Sequence, residues 1–360
     1  MTKIGIIGFG LIGGSIARAL KAKAGFDIAA LSRSARPLEA GAAEGILSAW
    51  STDDMSIFKG CKYIFICTPV DLIPSYVERL LPVIDKDCII TDVGSVKTGI
   101  HEAVKSLGLE ANFIGAHPMA GSEKTGFFAA NEHLYENAFY ILAPNENITP
   151  EERKAFKKIV MLMGAIPLEI DPKRHDHIVA AVSHVPHIVA SALAATVKSL
   201  DGEDELMHTI AAGGFKDTTR IAASGPEIWT SICFENRSEI LNVTDRFIEI
   251  LSKYRNDILN NDKDSFYARF DDASQYRATF AGKRDTDNYH TLFIDIADEQ
   301  GILAKIVTLL SQNGVNIKNI GIRNSREYAG GVLQIAFDKK EYSDKSARLL
   351  REAGYSVKEG

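Results

Sequence analysis

The fold is decided near the start of the chain, where residues 3 to 20 read KIGIIGFGLIGGSIARAL. A short apolar strand is followed at once by glycines spaced as in the turn between a strand and a helix. In such a turn Gly8 makes the tight bend, Gly10 admits a pyrophosphate against the backbone, and Gly13 brings helix and strand together. The sequence therefore predicts a dinucleotide site, with the phosphates at the positive end of the first helix. The predicted cofactor-binding residues of this turn are Gly8, Phe9, Gly10, Leu11, Ile12 and Gly13.

The pattern that begins with this turn continues to residue 148 as short apolar runs separated by helical stretches. Such strands are typical of a parallel sheet that is covered by helices on both faces. Residues 1–148 are therefore predicted to form an α/β domain of the Rossmann type, a doubly wound parallel sheet. The predicted strands are residues 3–8, 28–32, 63–68, 88–92, 113–116 and 139–143.

Two further patterns follow. Residues 149–281 consist mainly of long helical stretches, with one short strand predicted at 166–170, and predict an all-α helical domain for substrate binding and dimerisation. After the polar stretch GKRDTDN at 282–288, residues 289–360 alternate in the order βαββαβ. That order is ferredoxin-like, so a small third domain is expected.

Composition excludes several classes of protein. The chain has 360 residues, of which 46% are hydrophobic and 24% charged, so it can build sizeable cores. Its net charge of −6, without any basic tract, argues against binding to nucleic acid or to an anionic membrane surface. The glycine turn lies too close to Met1 for a signal peptide, and the four cysteines have no CxxC spacing, so we expect a cytoplasmic protein with reduced thiols. The apolar stretch 178–197 carries histidines and serines and is expected to be a buried helix with a polar stripe.

The type of dinucleotide is decided where the second strand ends. An acidic residue at that end would accept a hydrogen bond from the ribose of NAD, but Asp27 lies at the start of the strand. The strand is followed by Ser32, Arg33 and Ser34, and a guanidinium there suits the 2′-phosphate of NADP. We therefore expect NADP to be preferred, with NAD as the other possible cofactor. Thr68 and Pro69, after the third predicted strand, are further candidates for cofactor binding.

The loops after the fourth and fifth predicted strands contain candidate catalytic residues. Open α/β sheets bind ligands at the carboxyl ends of their strands, which places Ser95 and His117 in the cofactor crevice. A histidine in a loop bracketed by glycine and serine suits a general base. For Ser95, a helix N-cap is equally compatible with the sequence.

The helical region adds His175, His177, His184 and His187. No cysteine or glutamate completes a plausible zinc shell around them, so no metal site is predicted. His175 and His177 are interpreted as residues that cap or solvate the start of a helix.

Five motifs together resemble the TyrA family of prephenate and arogenate dehydrogenases. They cover residues 1 to about 280 and follow the family's order and spacing. The motifs are GFGLIGGS at 8–15, DVGSVK at 92–97, GAHPMAGSEKTG at 115–126, SHVPH at 183–187 and GGFKDTTRIA at 213–222. The resemblance implies oxidative decarboxylation of prephenate by NAD(P)+ to 4-hydroxyphenylpyruvate in tyrosine biosynthesis, or, as the alternative, conversion of arogenate to tyrosine.

The resemblance also implies roles for individual residues. His117 would be the general base, and Ser95 would lie beside the substrate hydroxyl. Arg220 would bind a substrate carboxylate, and a histidine donor at His187 would favour the keto group of prephenate over the ammonium of arogenate. The implied substrate-binding residues are Ser122, Glu123, His184, His187, Asp217, Arg220 and Trp229.

Residues 289–360 resemble an ACT domain, a small regulatory module of amino-acid enzymes. The resemblance implies an amino-acid effector, expected to be tyrosine, or a module that only dimerises the enzyme. The expected effector-binding residues are Asp298, Gly301, Ile302 and Asn316. Apolar helices around residues 178–197 suggest a homodimer through the helical domain.

Three alternatives stay open. A phosphoglycerate dehydrogenase also pairs these domains, but its dinucleotide turn is inserted well inside the chain. A β-hydroxyacid dehydrogenase needs a catalytic lysine, for which Lys216 is the candidate. The chain could also be a non-catalytic sensor of dinucleotide and amino acid.

Overall fold

The structure is a computed structural model, and it describes residues 2–121, 124–280, 290–297, 299–323 and 331–359. The predicted site residues Ser122, Glu123 and Asp298 lie outside the described residues. The chain separates into two compact units, Met1–Ser252 and Lys253–Gly360. The predicted division into domains at 1–148, 149–281 and 289–360 stays a prediction.

Within the described residues, unit 1 contains one eight-stranded sheet in the order β3-β2-β1-β4-β5-β6-β7-β8. The first six strands are parallel, and the chain crosses over between β1 and β4. This reversal of strand order is where open α/β sheets bind nucleotides. The strands are β1 Lys3–Ile7, β2 Asp27–Leu31, β3 Ala49–Ser51, β4 Tyr63–Ile66, β5 Ile89–Asp92, β6 Phe113–Pro118, β7 Phe139–Pro144 and β8 Ile166–Glu169.

Helices cover both faces of this sheet, as predicted. Alternate residues of β1 enter different cores: Ile4 and Ile6 pack on one face and Ile7 on the other. The helices of this region are α1 Leu11–Ala24, α2 Ala35–Ala43, α3 Ile73–Leu80, α4 Thr98–Ser106 and α5 Pro150–Leu162.

The sheet differs from the predicted one at its edges. β3 has only three residues, too few for a pattern in the sequence. β7 runs antiparallel to β6, which corrects the prediction of a wholly parallel sheet. β8 pairs with β7, and α5 contributes Phe156 to the core beneath Tyr63 and Phe65, so both elements belong with the sheet.

The remainder of unit 1 is helical and continues into unit 2 through α11. The helices are α6 Pro172–Val179, α7 Val185–Leu200, α8 Leu206–Ile210, α9 Gly213–Thr219, α10 Pro226–Glu235, α11 Arg237–Leu259 and α12 Lys263–Phe280. α6 and α7 are joined by a π-helical turn, Ala180–His184. A π turn adds one residue to the helical repeat, which brings His187 close to the helix face of His175. By length and composition alone the run Pro172–Leu200 could cross a membrane. Only 28% of its most apolar window is buried, so this run is more exposed than the buried helix that the sequence predicts.

Unit 2 contains a second, four-stranded sheet in the order β10-β11-β9-β12, all pairs antiparallel. The predicted order βαββαβ is confirmed. Apolar residues of the strands pack against both helices in a separate core. The elements are β9 His290–Ile296, α13 Ile302–Gln312, β10 Asn319–Arg323, β11 Gly331–Phe337, α14 Lys340–Glu352 and β12 Ser356–Glu359.

Candidate active site

The glycine turn between β1 and α1 fits a dinucleotide. Gly8 has φ +93°, and a Cβ there would lie 2.4 Å from the carbonyl oxygen of Cys67. A Cβ on Gly13 would lie 2.2 Å from the carbonyl oxygen of Gly8, whereas a Cβ on Gly10 would meet nothing within 4 Å. Gly10 is also the N-cap of α1, with no side-chain capping bond and no acidic residue in the first turn. The helix start is thus open and suited to an anion, and Phe9, Leu11 and Ile12 line the same turn.

The end of β2 carries no carboxylate that could bind a ribose. Asp27 is the first residue of β2, at the opposite end of the strand. Arg33 and Ser34 are exposed after the strand, and Ser32 is half-buried. Beyond β4, Pro69 is exposed, and the buried hydroxyl of Thr68 has no hydrogen-bond partner in the described structure.

The centre of the site is a chain of three side chains that connects β6 with α6. Nδ1 of His117 lies 2.9 Å from Nε2 of His175, and Nδ1 of His175 lies 2.8 Å from Oδ1 of Asp176. His175 and Asp176 are almost wholly buried, and His117 is half-buried near the carboxyl end of β6. The chain therefore links the crevice of the sheet to the helical part of unit 1.

The carboxylate of Asp176 determines which ring nitrogens of His175 and His117 carry a hydrogen. An ionised Asp176 only accepts, so Nδ1 of His175 carries the hydrogen and Nε2 of His175 is an acceptor. Nδ1 of His117 then donates to His175. A neutral His117 is left with a lone pair at Nε2, which can take a proton from a ligand.

The surroundings keep His117 neutral. Burial holds the pKa of His117 well below its ordinary value, and so, to a smaller extent, does the repulsion that a protonated His117 would meet from His175, Lys97 and His184. Burial alone would raise the pKa of Asp176, but hydrogen bonds from His175, Thr98 and Lys97 outweigh it and lower that pKa. A neutral imidazole and an ionised carboxylate therefore coexist at neutral pH.

A fully buried ion pair lies behind these three hydrogen-bonded side chains. Nζ of Lys97 contacts Oδ2 of Asp92, and neither side chain is exposed. Oδ2 of Asp92 accepts from the amide of Gly94 at 2.8 Å, and Oδ1 accepts from the amide of Ala116 at 3.0 Å. Because Ala116 precedes His117, Asp92 ties the loop after β5 to the strand that carries the histidine.

Ser95 lies in that loop and is half-buried. It does not cap α4, because the N-cap position belongs to Lys97. The amides of Lys97 and Thr98 instead donate to Asp176 at 2.7 and 2.8 Å. A carboxylate of α6 thus satisfies the start of α4 and fixes the loop of Ser95 against the helical region.

The π turn and α10 form a second group of polar side chains. Nδ2 of Asn236 lies 3.1 Å from Nδ1 of His184, which leaves the hydrogen of His184 on Nε2. That Nε2 is buried and has no partner among the described residues. Nδ1 of His187 donates to the carbonyl of Ser183 at 2.9 Å, and its ring stacks on Trp229 with 3.7 Å between ring centroids.

A pocket of about 600 Å³ adjoins this group. Its lining includes His187, Trp229 and Ile221. Arg220, directly before Ile221, is exposed and begins a 3₁₀ turn that packs against α7. Asp217 is exposed on α9. Among the described residues, no group of three or more His, Cys, Asp or Glu side chains could hold a metal ion.

The expected effector residues are in unit 2. Gly301 has φ +84° and is the N-cap of α13, and Ile302 is the first residue of that helix. Asn316 is exposed before β10.

Sequence reasoning missed the residues that support His117. It assigned His175 to the helix start, but Asp171 caps α6 and accepts from the amides of Lys173 and Arg174, so His175 lies a full turn inside. The pair Asp171-Pro172 was the available signal, since such a pair marks a helix start. His177, by contrast, is exposed and lies 2.7 Å from Glu239.

Comparison with known proteins agrees with this geometry. The family profile described as the nucleotide-binding domain of prephenate dehydrogenase matches residues 16–166, and the profile described as its dimerization domain matches residues 171–272. A prephenate dehydrogenase of Bacillus subtilis is 33% identical over 93% of this chain and 92% of its own. The chain belongs to the prephenate dehydrogenase family.

Solved structures of this oxidoreductase family share the fold. Prephenate dehydrogenase from Aquifex aeolicus, crystallised with hydroxyphenyl propionate and NAD+, superposes with a TM-score of 0.73 at 27% identity, covering 78% of this chain and 98% of that one. Arogenate dehydrogenase from Synechocystis gives a TM-score of 0.70 at 31% identity, covering 78% and 100%. The solved family structures thus share their fold with 78% of this chain.

Proposed function

We propose that the protein catalyses the NAD(P)+-dependent oxidative decarboxylation of prephenate to 4-hydroxyphenylpyruvate, a step of tyrosine biosynthesis. The observation that carries this proposal is the chain from His117 through His175 to Asp176, at the carboxyl edge of a sheet with an open glycine turn. Membership of the family supports it.

In the proposed reaction, Nε2 of His117 takes the proton of the substrate hydroxyl as the hydride leaves the ring carbon that bears this hydroxyl. The ring carboxylate then leaves as CO2, and its bonding electrons make the ring aromatic. Bound nicotinamide supplies the hydride acceptor. His175 and Asp176 keep the lone pair of His117 directed at the hydroxyl and stabilise the imidazolium that forms, the role of the carboxylate behind other catalytic histidines. Ser95, held in the loop before α4, donates to or accepts from the same hydroxyl.

The proposed substrate-binding groups come from the segment that follows β6 in the chain and from the helical region of unit 1. Arg220 binds one carboxylate of prephenate, and Asp217 with Glu123 orients the guanidinium. The buried Nε2–H of His184 has no partner in the part of the chain that the structure describes, and it supplies a neutral donor because the pKa of His184 is lowered to about 4, chiefly by burial. Ser122, His187 and Trp229 complete the proposed set of substrate-binding residues.

A hydrogen bond of His187 favours arogenate as the second candidate substrate. Its Nδ1–H is used by the carbonyl of Ser183, so a neutral ring offers only the lone pair of Nε2. A lone pair suits the ammonium of arogenate better than the keto group of prephenate, contrary to the expectation of a donor there.

NADP+ is the proposed preferred cofactor, because Arg33 and Ser34 are exposed where the 2′-phosphate would lie and no carboxylate stands at that end of β2. The kcat/KM for NADP+ should exceed that for NAD+, and Arg33→Ser should reduce only the former. A clear preference of the unaltered enzyme for NAD+ would reject this part of the proposal.

One assay tests the proposed function. Purified protein is mixed with prephenate or arogenate and with NAD+ or NADP+, and the absorbance of reduced nicotinamide is followed, with His117→Asn as the control for the base. Activity with one of the two substrates, lost in the variant, is the expected result. No turnover with either substrate would leave the sensor as the better interpretation.

Regulation and assembly are also proposals. The second sheet is proposed to act as an ACT domain that binds tyrosine near Gly301, Ile302 and Asn316, and deletion of residues 285–360 should abolish feedback inhibition by tyrosine. A homodimer is proposed because the helical region exposes apolar side chains such as Ile228, Phe234, Leu241, Ile248 and Leu251. The proposed location is the cytoplasm. The matching profile is itself described as a dimerization domain.

A further inference from the structure

A cluster of buried charges lies directly behind His117. It consists of the cation of Lys97 and the carboxylates of Asp92 and Asp176, all with at most 2% of their surface exposed. Burial lowers the pKa of Lys97 and Asp92 opposes this, since a neutral amine would leave that carboxylate unpaired. The cluster therefore holds one carboxylate more than it holds cations.

The two carboxylates differ in what they face. Asp176 is bonded to His175 and to the start of α4, so it serves the imidazole chain. Asp92 is bonded to the amide of Ala116, the residue before His117, and its charge is compensated by Lys97. Without Lys97, a second unpaired anion would lie buried behind the base and would favour its protonated form.

We propose that Lys97 is a positioning residue that keeps His117 in the neutral, proton-accepting form by compensating Asp92. The proposal rests on the role of His117 as the base in the proposed function. A resting imidazolium would have no lone pair for the substrate hydroxyl, so the ion pair sets how far toward acidic pH the enzyme can still react.

The other groups that face His117 do not replace Lys97. They are His175 from α6 and His184 from the π turn. His184 is neutral at physiological pH because burial lowers its pKa to about 4, and His175 is bonded as a neutral acceptor between His117 and Asp176. Among the described groups around His117, Lys97 is therefore the one that brings a positive charge, which its ion pair with Asp92 supports.

The test is a nuclear magnetic resonance titration of the His117 imidazole in the unliganded protein, with the signal assigned by its loss in His117→Asn. In the unaltered protein this ring should titrate well below its ordinary pKa of 6.5. In Lys97→Met its pKa should rise by about one unit or more. Combining Lys97→Met with Asp92→Asn removes both charges and should restore the original titration.

Two controls make the result decisive. Lys105→Met removes an exposed lysine from the same helix and should leave the titration unchanged. If Lys97→Met does not fold, Asp92→Asn alone carries the test, and the acid limb of the kcat/KM profile should then move to lower pH. A His117 titration or acid limb that ignores these charges overturns the proposal. Because the titration needs no substrate, it can succeed even where the proposed reaction fails.

Discussion

The hydrogen bond with His175 fixes the tautomer of His117, the histidine of β6. The bond of 2.9 Å between the two rings is directional only because Asp176 holds the hydrogen of His175 on Nδ1. We expect His175→Asn to lower kcat on the order of 10²-fold with little change in the affinity for NAD(P)+, because orientation of a general base contributes at that scale. Steady-state kinetics with prephenate and fluorescence titration with the cofactor measure both quantities.

The matched control is His177→Asn, two residues along α6. His177 is exposed and pairs with Glu239, so its removal should change kcat less than twofold, in line with the small worth of surface pairs. Equal losses in both variants would mean that α6 itself, and not the imidazole chain, is needed.

Arg220 is the residue proposed to hold the negative end of the substrate. A hydrogen bond to a charged group contributes roughly 1.5 to 3 kcal/mol, so Arg220→Ala should raise KM for prephenate by more than about tenfold with a smaller effect on kcat. Lys216→Ala, on the preceding helix, is the comparison, since Lys216 would be catalytic in a β-hydroxyacid dehydrogenase. If Lys216→Ala abolishes turnover while Arg220→Ala leaves KM unchanged, the assignment of the site is wrong.

Within the glycine turn, Gly13 is required for close packing, whereas Gly10 leaves space for the pyrophosphate of the cofactor. Gly13→Ala would bring a Cβ to 2.2 Å from the carbonyl of Gly8, and overpacking of this kind costs about 1–3 kcal/mol. Gly10→Ala meets nothing within 4 Å, so the protein should fold as before while the methyl occupies the space for the pyrophosphate. We therefore expect Gly10→Ala to leave the Tm unchanged and weaken cofactor binding more than about tenfold, measured by thermal denaturation and isothermal titration. A lower Tm for Gly10→Ala and a normal one for Gly13→Ala would reverse this assignment.

Local signals predicted most elements, but not their partners. The run IGIIGFGLIG encodes its own strand, turn and helix, because the apolar period and the glycine spacing are contiguous in the chain. The direction of β7 and the membership of β8 depend on pairings between distant segments, which leave no periodic trace. For the same reason the motif pointed to His117 as the candidate base, whereas the contacts of His175 and Lys97 were missed, since their burial and their partners arise only when β5, β6 and α6 meet.

At the scale of the molecule, the first sheet and its helices bring the proposed base and cofactor turn to one edge, and the helical region supplies the groups that hold the base. The helical region also buries the imidazole of His184, whose pKa is lowered chiefly by burial. Its burial makes the stability of the fold depend on pH, because the ring binds a proton less tightly in the folded protein than in the unfolded chain.

His184 allows this dependence to be tested. Its pKa is lowered from 6.5 to about 4, mainly by burial, so the unfolded chain binds the proton more tightly than the folded one. The free energy of unfolding should therefore fall as the pH drops from about 6.5 to about 4, and His184 should account for about 3 kcal/mol of that fall. Urea denaturation at fixed protein concentration across this range should show a shallower pH dependence for His184→Gln than for the unaltered protein. His208→Gln, which removes an exposed histidine, should keep the original slope, and an equally steep slope in His184→Gln would show that His184 is already protonated in the folded state.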